Sequence, residues 1–405
     1  MSSDFVSLLL DYTKEYESPS SFWRWSAYSI LSSVLRSNVY IKHKKLKIYP
    51  NTYILLLADA GKFRKGHPLK IAETLIAALD VTKTFSGTAS VQGILDKLSQ
   101  DIPIKGKGKS LKGGSCLILA EELAAFFVED PRLIPMLAKM YDFSEHFPYD
   151  LRSGSILIKN LCVSMLLASN ETFLREVYTQ QAIYGGLLRR TLLIKPDETR
   201  KGNSLIDPDI VTDDIKDTED WDKLLSLLRE IILLEGEIKL EYTAAKFFHE
   251  WYNELYNNYD KYGNKTGWIE SIHILILKVS MLLAISEKRM IIEMKDIDEA
   301  IFQVTSLKPN YDAYAMSTGR SEKAGISGYI LGLFWEAANY NLSKREILFK
   351  HWNQVSSEEL DKVIETFIAS DILSLTPNGN GQLAYTLTKR IIDKLNEKVN
   401  LKGKP

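Results

Sequence analysis

The chain has 405 residues, of which 45% are hydrophobic and 25% charged, and its formal net charge is −1 at pH 7. This composition is typical of a soluble globular protein with two or three domains. A net charge so close to zero identifies neither an acidic nor a basic partner.

Residues 1–50 are predicted to form a helical lead-in. From Asp4 to about Val39 the apolar side chains recur at helical spacing, and Ser18–Ser21 supplies a capping signal. The first residues lack the basic region and the cleavage site of a secretory signal peptide, so we expect none.

The segment Thr52–Ile76, TYILLLADAGKFRKGHPLKIAETLI, has the order of a phosphate-binding loop: a buried strand, a glycine- and lysine-bearing loop, and a helix. Backbone N–H groups around Gly61 and Gly66 could hold polyphosphate oxygens, with Lys65 as the mobile charge. The usual motif, GxxxxGK[ST], carries a hydroxyl after the lysine to hold Mg²⁺, whereas Gly66 follows Lys65 here. An ordinary surface turn is the alternative.

Strand-like and helical runs alternate between residues 51 and 196. The expected strands are Tyr53–Ala58, Cys116–Ala120, Leu161–Ala168 and Thr191–Ile194, and the expected helices are Leu69–Leu79, Val91–Gln100 and Pro131–Tyr141. This alternation predicts an α/β fold with crossover units and a mostly parallel sheet. The two cysteines, Cys116 and Cys162, lie in apolar runs, which favours core positions in a reducing compartment over a disulfide or metal site.

A basic, glycine-rich loop precedes the second of these strands. It is DIPIKGKGKSLKGGS, which contains Lys105, Lys107, Lys109 and Lys112. Such a loop could track a DNA phosphate backbone without reading bases. A solvated connection is the alternative.

An acidic pair, Glu121 and Glu122, follows the apolar run CLILA. Ligands of open parallel sheets bind at the carboxyl ends of the strands, so these carboxylates would lie near the Lys65 loop. In a P-loop ATPase the first acid of such a pair helps to hold the hydrated metal, and the second polarises the attacking water. The alternative is a functionally silent first turn of a helix.

Two further polar residues extend the pattern. Asn170 closes the apolar run LCVSMLLAS, where its amide could orient a water near a terminal phosphate. Arg190, in GGLLRR, could reach a transferred phosphoryl group across a subunit boundary as an arginine finger. The alternatives are a turn or cap residue for Asn170 and a solvated arginine for Arg190.

The rest of the chain is predicted to contain four segments. They are an acidic linker or loop at 197–222, a helical lid-like domain at 223–308, a linker at 309–325 and a winged-helix domain at 326–405. The longest apolar runs, 156–168 and 272–285, are shorter than the roughly 18 residues of a membrane span. The third helix expected in 326–405 is acidic, so the winged helix could bind either DNA or protein.

These features lie in seven segments, namely SPSSFWRWSAYSILSSVL, PNTYILLLADAGKFRKG, SGTASVQGILDKL, LILAEEL, LLASNETFLREV, YGGLLRRTLLI and KVSMLLAI. In this order they resemble the phage- and plasmid-type P-loop ATPases of the DUF3987-like, primase-associated helicase group. These proteins are similar in core layout to AAA+ helicases of the MCM kind. The resemblance covers about residues 18–305 and implies a RecA/AAA+-like P-loop ATPase core at 51–196.

The resemblance also implies roles for individual residues. Lys65 resembles the phosphate-binding lysine, and Gly61, Arg64 and Gly66 share its nucleotide-binding loop. Glu121 takes the metal-side position that is usually an aspartate. Because Gly66 cannot ligate Mg²⁺, the metal would rely on Glu121, water and the nucleotide.

The same resemblance makes Glu122 the catalytic acid, Asn170 the first sensor and Arg190 the arginine finger. It implies ATP and Mg²⁺ as cofactors, single-stranded or forked DNA as a partner, and a homo-oligomer such as a hexameric ring that works with other replication proteins. The expected function is an ATP-dependent helicase or translocase in replication of a phage or other mobile element, in the cytoplasm of a bacterial or archaeal host. The alternative is an ATP-binding, oligomeric replication initiator or helicase loader without strong motor activity.

Overall fold

The computed structural model describes residues 4–59, 61–86, 90–104, 109–111, 113–121, 132–151, 154–171, 186–197, 214–259, 267–318, 322–351, 356–377 and 383–393. The chain divides into two compact units, a large unit of residues 1–315 and a small unit of residues 316–405. The boundary between them falls inside the predicted linker at 309–325. Much of that segment is helical, however, because one helix spans Lys308–Thr318 and the next begins at Glu322.

The large unit begins with helices α1 (Phe5–Tyr12) and α2 (Ser20–Leu35), followed by the antiparallel strands β1 (Val39–His43) and β2 (Leu46–Ile48). The helical lead-in is therefore shorter than predicted. Helix α2 begins at Ser20, inside the segment Ser18–Ser21 that was predicted to cap a helix, but its N-cap residue is Pro19 and it has no side-chain cap. The Ser18 hydroxyl instead donates to the carbonyl of Arg64 at 3.0 Å.

The central α/β region follows. In chain order its elements are β3 (Tyr53–Leu57), α3 (Gly66–Leu79), β4 (Lys83–Ser86), α4 (Val91–Ser99), β5 (Ile102–Ile104), β6 (Lys109–Leu111), β7 (Ser115–Ala120), α5 (Leu133–Met140), β8 (Ser144–Leu151), β9 (Gly154–Ser169), a 3-10 turn (Leu188–Arg190) and β10 (Thr191–Ile194). The four strands predicted from apolar runs are all present. Strands β4, β5, β6 and β8 were not predicted.

The main sheet has the strand order β10-β3-β9-β7-β4, and each of these four pairings is parallel. The prediction of an α/β fold with a mostly parallel sheet is thus confirmed. Every residue of β3 and β7 is buried, as expected for a sheet that is covered on both faces. Cys116 and Cys162 are free and buried, and burial raises the pKa of the Cys162 thiol to about 12.

The parallel strands give the sheet two distinct edges. We call the edge where they begin the amino edge and the edge where they end the carboxyl edge. Two antiparallel hairpins adjoin the amino edge: β8 pairs with the first half of β9, and β5 pairs with β6. The residues between β5 and β6 are 105–108, which lie outside the described residues.

Helix α2 covers the sheet through small polar side chains. Ser32 donates to the Ser164 hydroxyl on β9 at 3.0 Å, and it lies 3.2 Å from the Thr52 hydroxyl just before β3. All three residues are buried. Serine is small enough to let the helix approach closely, and the mutual hydrogen bonds satisfy its hydroxyl in the core.

The large unit ends in a mainly helical region. Its elements are α6 (Asp214–Ile231), β11 (Gly236–Glu237), β12 (Lys239–Leu240), α7 (Tyr242–Asn257), α8 (Trp268–Ser286), β13 (Ile291–Ile292), α9 (Met294–Thr305) and α10 (Lys308–Thr318). Of the predicted acidic linker, residues 198–213 lie outside the described residues, and the part from Asp214 is helical. Buried side chains of the lead-in, the sheet and these helices form a single hydrophobic cluster.

Helix α8 is mostly apolar. Among the described helices it alone is long and apolar enough to cross a membrane, but 72% of its most apolar window is buried inside the protein. Within it, Lys278 is buried and bonded to Asn51. This burial is typical of a core helix.

The small unit consists of α11 (Glu322–Glu336), a 3-10 turn (Ala338–Tyr340), β14 (Asn341–Leu342), α12 (Lys344–His351), α13 (Ser357–Ala369), β15 (Leu373–Pro377) and β16 (Leu383–Leu387). The strands form an antiparallel sheet in the order β14-β16-β15. Ile330, Phe334, Leu360 and Leu387 belong to its separate hydrophobic core.

Candidate functional site

The carboxyl edge of the sheet brings several of the predicted site residues together. The Lys65 loop follows β3, Glu121 follows β7, and Asn170 follows β9. Strand register places them at a similar level, because Leu57 pairs with Ser169 and Ala120 pairs with Leu167. This edge is where ligands of open parallel sheets bind.

Lys65 lies at the junction of the loop and α3. Its ammonium donates hydrogen bonds to the carbonyls of Ala58 and Asp59, the latter at 3.3 Å. The side chain is half-buried, and burial lowers the pKa of Lys65 while nearby Asp59 acts in the opposite direction. The only described partners of this cation are thus carbonyls of its own loop, which a phosphate could replace.

Gly66 is the first residue of α3, and the Glu121 carboxylate lies directly against it. A β-carbon built on Gly66 would be 2.9 Å from Oε1 and 3.2 Å from Oε2 of Glu121. These distances are shorter than ordinary van der Waals contact. The carboxylate therefore fills the space that the side chain of the usual serine or threonine would need.

Helix α3 suits an anion at its start. Pro68 lies in the first turn, where the missing N–H breaks no intrahelical hydrogen bond. The N–H of His67 donates to the Arg64 carbonyl at 3.0 Å, so an anion would rely on the helix dipole, which favours negative charge at this end, and on other N–H groups of the first turn. Gly61, whose φ is +69°, lets the loop turn back towards the helix.

Arg64 pairs with a carboxylate of the lead-in. Its Nε donates to Oε2 of Glu17 at 2.6 Å, and the Glu17 side chain is only 8% exposed. Arg64 adopts a φ of +45°, and its carbonyl accepts the bond from Ser18. Sequence reasoning expected Arg64 to contact a nucleotide and did not identify Glu17, since the two residues are remote in sequence.

Asn170 is the residue that follows β9. The backbone N–H of Ala58 donates to the carbonyl of Ser169 at 3.2 Å, so Asn170 is next to the start of the Lys65 loop. Its neighbour Glu171 forms a 2.5 Å ion pair with Lys195, which follows β10. Charged and polar side chains thus follow β3, β7, β9 and β10 at this edge.

Arg190 lies at the opposite, amino edge, immediately before β10. Its guanidinium bonds to Asp142 at 3.2 Å and to the Gly186 carbonyl at 3.3 Å, and it lies over the Tyr141 ring. Within one chain, the structure therefore does not bring Arg190 to Lys65. A role at the phosphates would require the site of a neighbouring subunit.

The amino edge also holds a buried lysine that sequence reasoning did not assign to any role. Lys278 donates to the backbone carbonyl and the side-chain oxygen of Asn51 at 2.8 and 2.7 Å, and its ammonium is 4.1 Å from the centre of the Tyr141 ring. Asn51 in turn donates to the carbonyls of Tyr141 and Val163. Burial lowers the pKa of Lys278 to about 7.

Several predicted residues cannot be placed. Glu122, Lys105, Lys107 and Lys112 lie outside the described residues. Lys109 is the first residue of β6, in the short hairpin at the amino edge. The predicted DNA-binding loop therefore connects to the sheet at the edge away from Lys65.

The carboxyl edge has some of the groups that hold Mg²⁺ in phosphate sites. Mg²⁺ in phosphate sites is usually held by one or two carboxylates together with phosphates and water, and Glu121 supplies one carboxylate beside a lysine and a helix start. Within the described ranges, no three or more His, Cys, Asp or Glu side chains form a group that could hold a metal ion.

No protein-family model matches the chain, and no curated protein matches it in sequence. The resemblance to phage- and plasmid-type ATPases therefore rests on the quoted motifs.

Proposed function

We propose that the protein binds ATP with Mg²⁺ at the carboxyl edge of the sheet and couples its hydrolysis to movement on DNA. It would act as a helicase or translocase in replication of a phage or other mobile genetic element. The observation that carries this proposal is the placement of Lys65 and the Glu121 carboxylate around Gly66, at the ends of parallel strands. The strand order β10-β3-β9-β7-β4 supports a RecA/AAA+-like core.

Each residue at this edge would have a separate task. Lys65 would exchange its two loop carbonyls for phosphate oxygens, and the first turn of α3 would bind the same anion. Glu121 would hold the hydrated Mg²⁺, which neutralises charge on the phosphates when bound. Glu122 would polarise the attacking water, and Asn170 would orient it.

Arg190 would need an oligomer to act at the phosphates. Because it lies at the amino edge, it could serve as an arginine finger only for a neighbouring copy of the chain. A homo-oligomer such as a hexameric ring would place the amino edge of one subunit against the carboxyl edge of the next. In that arrangement the Asp142–Arg190 ion pair would open when the finger engages.

Two regions of the chain are candidates for binding DNA. The β5–β6 hairpin carries the lysines at 105, 107, 109 and 112 and adjoins the amino edge. The small unit has the order helix, short strand, two helices and two-stranded ribbon, which is the order of a winged helix. Its middle helix α12 contains Lys344 and Arg345 and is the more basic candidate surface, although Lys344 pairs with Asp361 at 2.6 Å.

The decisive test measures DNA-stimulated ATP hydrolysis and strand displacement by the wild type and by Glu122→Gln. We expect ATP binding to persist in the variant and both hydrolysis and unwinding to fall by about 10²-fold or more. The matched control is Glu235→Gln, which changes a glutamate of the large unit that is remote in sequence from Glu122. Strand displacement that survives Glu122→Gln would disprove a motor driven by this site.

The second candidate function is an ATP-binding, oligomeric initiator or helicase loader without strong motor activity. It is favoured by Gly66, which cannot supply the hydroxyl ligand of the usual loop. The mass of the protein in solution with and without ATP separates the two functions. Two results together would favour the loader: the wild type shows no DNA-stimulated hydrolysis, and Lys65→Ala abolishes only ATP-dependent assembly.

A further inference from the structure

Position 66 is glycine for reasons of space and not of backbone conformation. The φ angle of Gly66 is not positive, and Gly66 is the first residue of an α-helix, a position that most residue types can adopt. The spatial constraint at position 66 is the Glu121 carboxylate, which lies 2.9 Å from the place of a β-carbon.

We propose that Gly66 and Glu121 are a matched pair, in which the longer acid occupies the place of the missing hydroxyl and performs its metal-side role. The inference rests on the proposed nucleotide site and deepens it. It states which residue combinations at these two positions can hold a magnesium–nucleotide complex.

The geometry gives the rule for these combinations. Glutamate is one methylene longer than the aspartate of the usual motif, so its carboxylate reaches the start of α3. A side chain at position 66 would collide with it, whereas aspartate at position 121 would leave the space in front of Gly66 empty. Glycine at position 66 with glutamate at position 121 would therefore hold the magnesium–nucleotide complex, as would serine at 66 with aspartate at 121. The two mixed combinations would not.

The collision would affect ligand binding more than folding. Glu121 is exposed, and its carboxylate is the end of a flexible side chain, so it can rotate away from a methyl group at position 66. Rotation removes the carboxylate from the metal-side position without breaking a core contact. The variants should fold normally and lose their response to Mg²⁺.

The experiment compares the wild type with Gly66→Ser, Glu121→Asp and the double variant. ATP binding is measured by calorimetry in Mg²⁺ and in EDTA, and Mn²⁺ binding in the presence of ATP is measured by electron paramagnetic resonance. We expect each single variant to weaken the metal-dependent part of ATP binding by about tenfold or more, in line with ligand-orienting residues of metal sites. The double variant should return to within about threefold of the wild type.

Two further measurements distinguish a matched pair from a general effect. Gly66→Ala adds only a methyl group and should weaken binding in Mg²⁺ but leave binding in EDTA unchanged. Gly93→Ala in α4 is the control, because its β-carbon would meet the Ser90 hydroxyl at an ordinary 3.5 Å. Thermal unfolding should show that both alanine variants fold as the wild type does.

The outcomes are separable. A double variant as weak as the single variants, or Gly66→Ala with wild-type affinity for ATP in Mg²⁺, would overturn the matched pair while leaving the nucleotide site in place. Wild-type protein that binds no ATP in Mg²⁺ would overturn the proposed function and, with it, this inference.

Discussion

The two edges of the main sheet each hold lysines, but the partners of these lysines differ. At the amino edge, Lys83 donates to the carbonyls of Leu98, Gln100 and Gly113 at 3.1, 2.6 and 2.7 Å. Lys278 also lies there and is surrounded by protein oxygens and a tyrosine ring. At the carboxyl edge, Lys65 has only two carbonyls of its own loop among its described partners.

The difference separates structural lysines from a lysine that can bind a ligand. Lys83 and Lys278 are 1% and 4% exposed, and each donates hydrogen bonds to groups from elsewhere in the fold. A buried ammonium with such partners stabilises the structure only as long as every partner is present. Lys65 is half-buried at the start of a helix, where an anion can replace its partners.

The first prediction tests a buried lysine of the amino edge. Lys278→Met keeps the length of the side chain but leaves both oxygens of Asn51 without their donor. We expect the free energy of unfolding to fall by about 3 kcal/mol, as when one partner of a buried, charged hydrogen bond is lost. Lys246→Met on the exposed face of α7 is the control and should change it by less than about 0.5 kcal/mol.

Denaturant unfolding checks this prediction. A cost near that of the control would mean that the Lys278 network contributes little and that the amino edge is not a structural region. ATP binding by the Lys278→Met variant should remain at the wild-type level.

The pH dependence of unfolding sharpens the same comparison. Burial lowers the pKa of Lys278 from 10.5 to about 7, while Cys162 and Asp142 act in the opposite direction and Arg190 in the same direction. Between these two pKa values the unfolded chain binds a proton that the folded chain does not, so the contribution of Lys278 to stability rises with pH. The cost of Lys278→Met should therefore be roughly 2 kcal/mol larger at pH 9 than at pH 7.

At each pH, the free energy of unfolding of the variant is subtracted from that of the wild type. This difference cancels the contributions of groups that titrate in both proteins. An equal cost at pH 7 and pH 9 would show that the folded protein keeps Lys278 protonated through this range, and the pH prediction would then be wrong.

Lys83→Met should lower the free energy of unfolding by less than Lys278→Met does, and it should also lower the affinity for DNA. We expect a loss of about 2 kcal/mol, because three carbonyls lose a shared donor, while the bonds to Gln100 and Gly113 are only partly buried, so water can reach these two carbonyls. Gln100 and Gly113 flank the β5–β6 hairpin, so the base of the predicted DNA-binding loop would loosen. DNA affinity should fall while ATP affinity does not.

Lys97→Met is the matched control for this variant. Lys97 is exposed and donates to a single carbonyl, that of Thr84. If Lys97→Met weakened DNA binding as strongly as Lys83→Met, a general loss of positive charge would explain the effect better than a loosened hairpin.

The sequence was sufficient to predict the strands that are continuous apolar runs. Thr191–Ile194 agrees with the structure residue for residue, and Ser115–Ala120 differs from its prediction by one residue. Strand β4 was missed because three of the four residues in KTFS are polar, and only the tertiary bonds of Lys83 explain its burial. Apolar periodicity cannot reveal a lysine that is buried by distant carbonyls.

The candidate site shows the same limit. Chain order alone indicated that Lys65, Glu121 and Asn170 follow three strands and would meet at one edge of a parallel sheet. The pairing of Arg64 with Glu17 and the contact of Glu121 with Gly66 depend on side-chain packing between segments that are remote in sequence. No spacing rule specifies such contacts.

Lys65→Met should have the smallest effect on folding and therefore tests the comparison most directly. The side chain is half-buried, and the two carbonyls it leaves belong to a loop that water can reach, so the free energy of unfolding should change by less than about 1 kcal/mol. ATP affinity should fall by about tenfold or more, because the phosphates lose their mobile cation. Lys62→Met, which removes an exposed lysine of the same loop paired with Asp59 at 3.6 Å, should leave ATP affinity unchanged. If Lys65→Met instead destabilised the fold as much as Lys83→Met and left ATP binding intact, Lys65 would be a structural lysine like those of the amino edge.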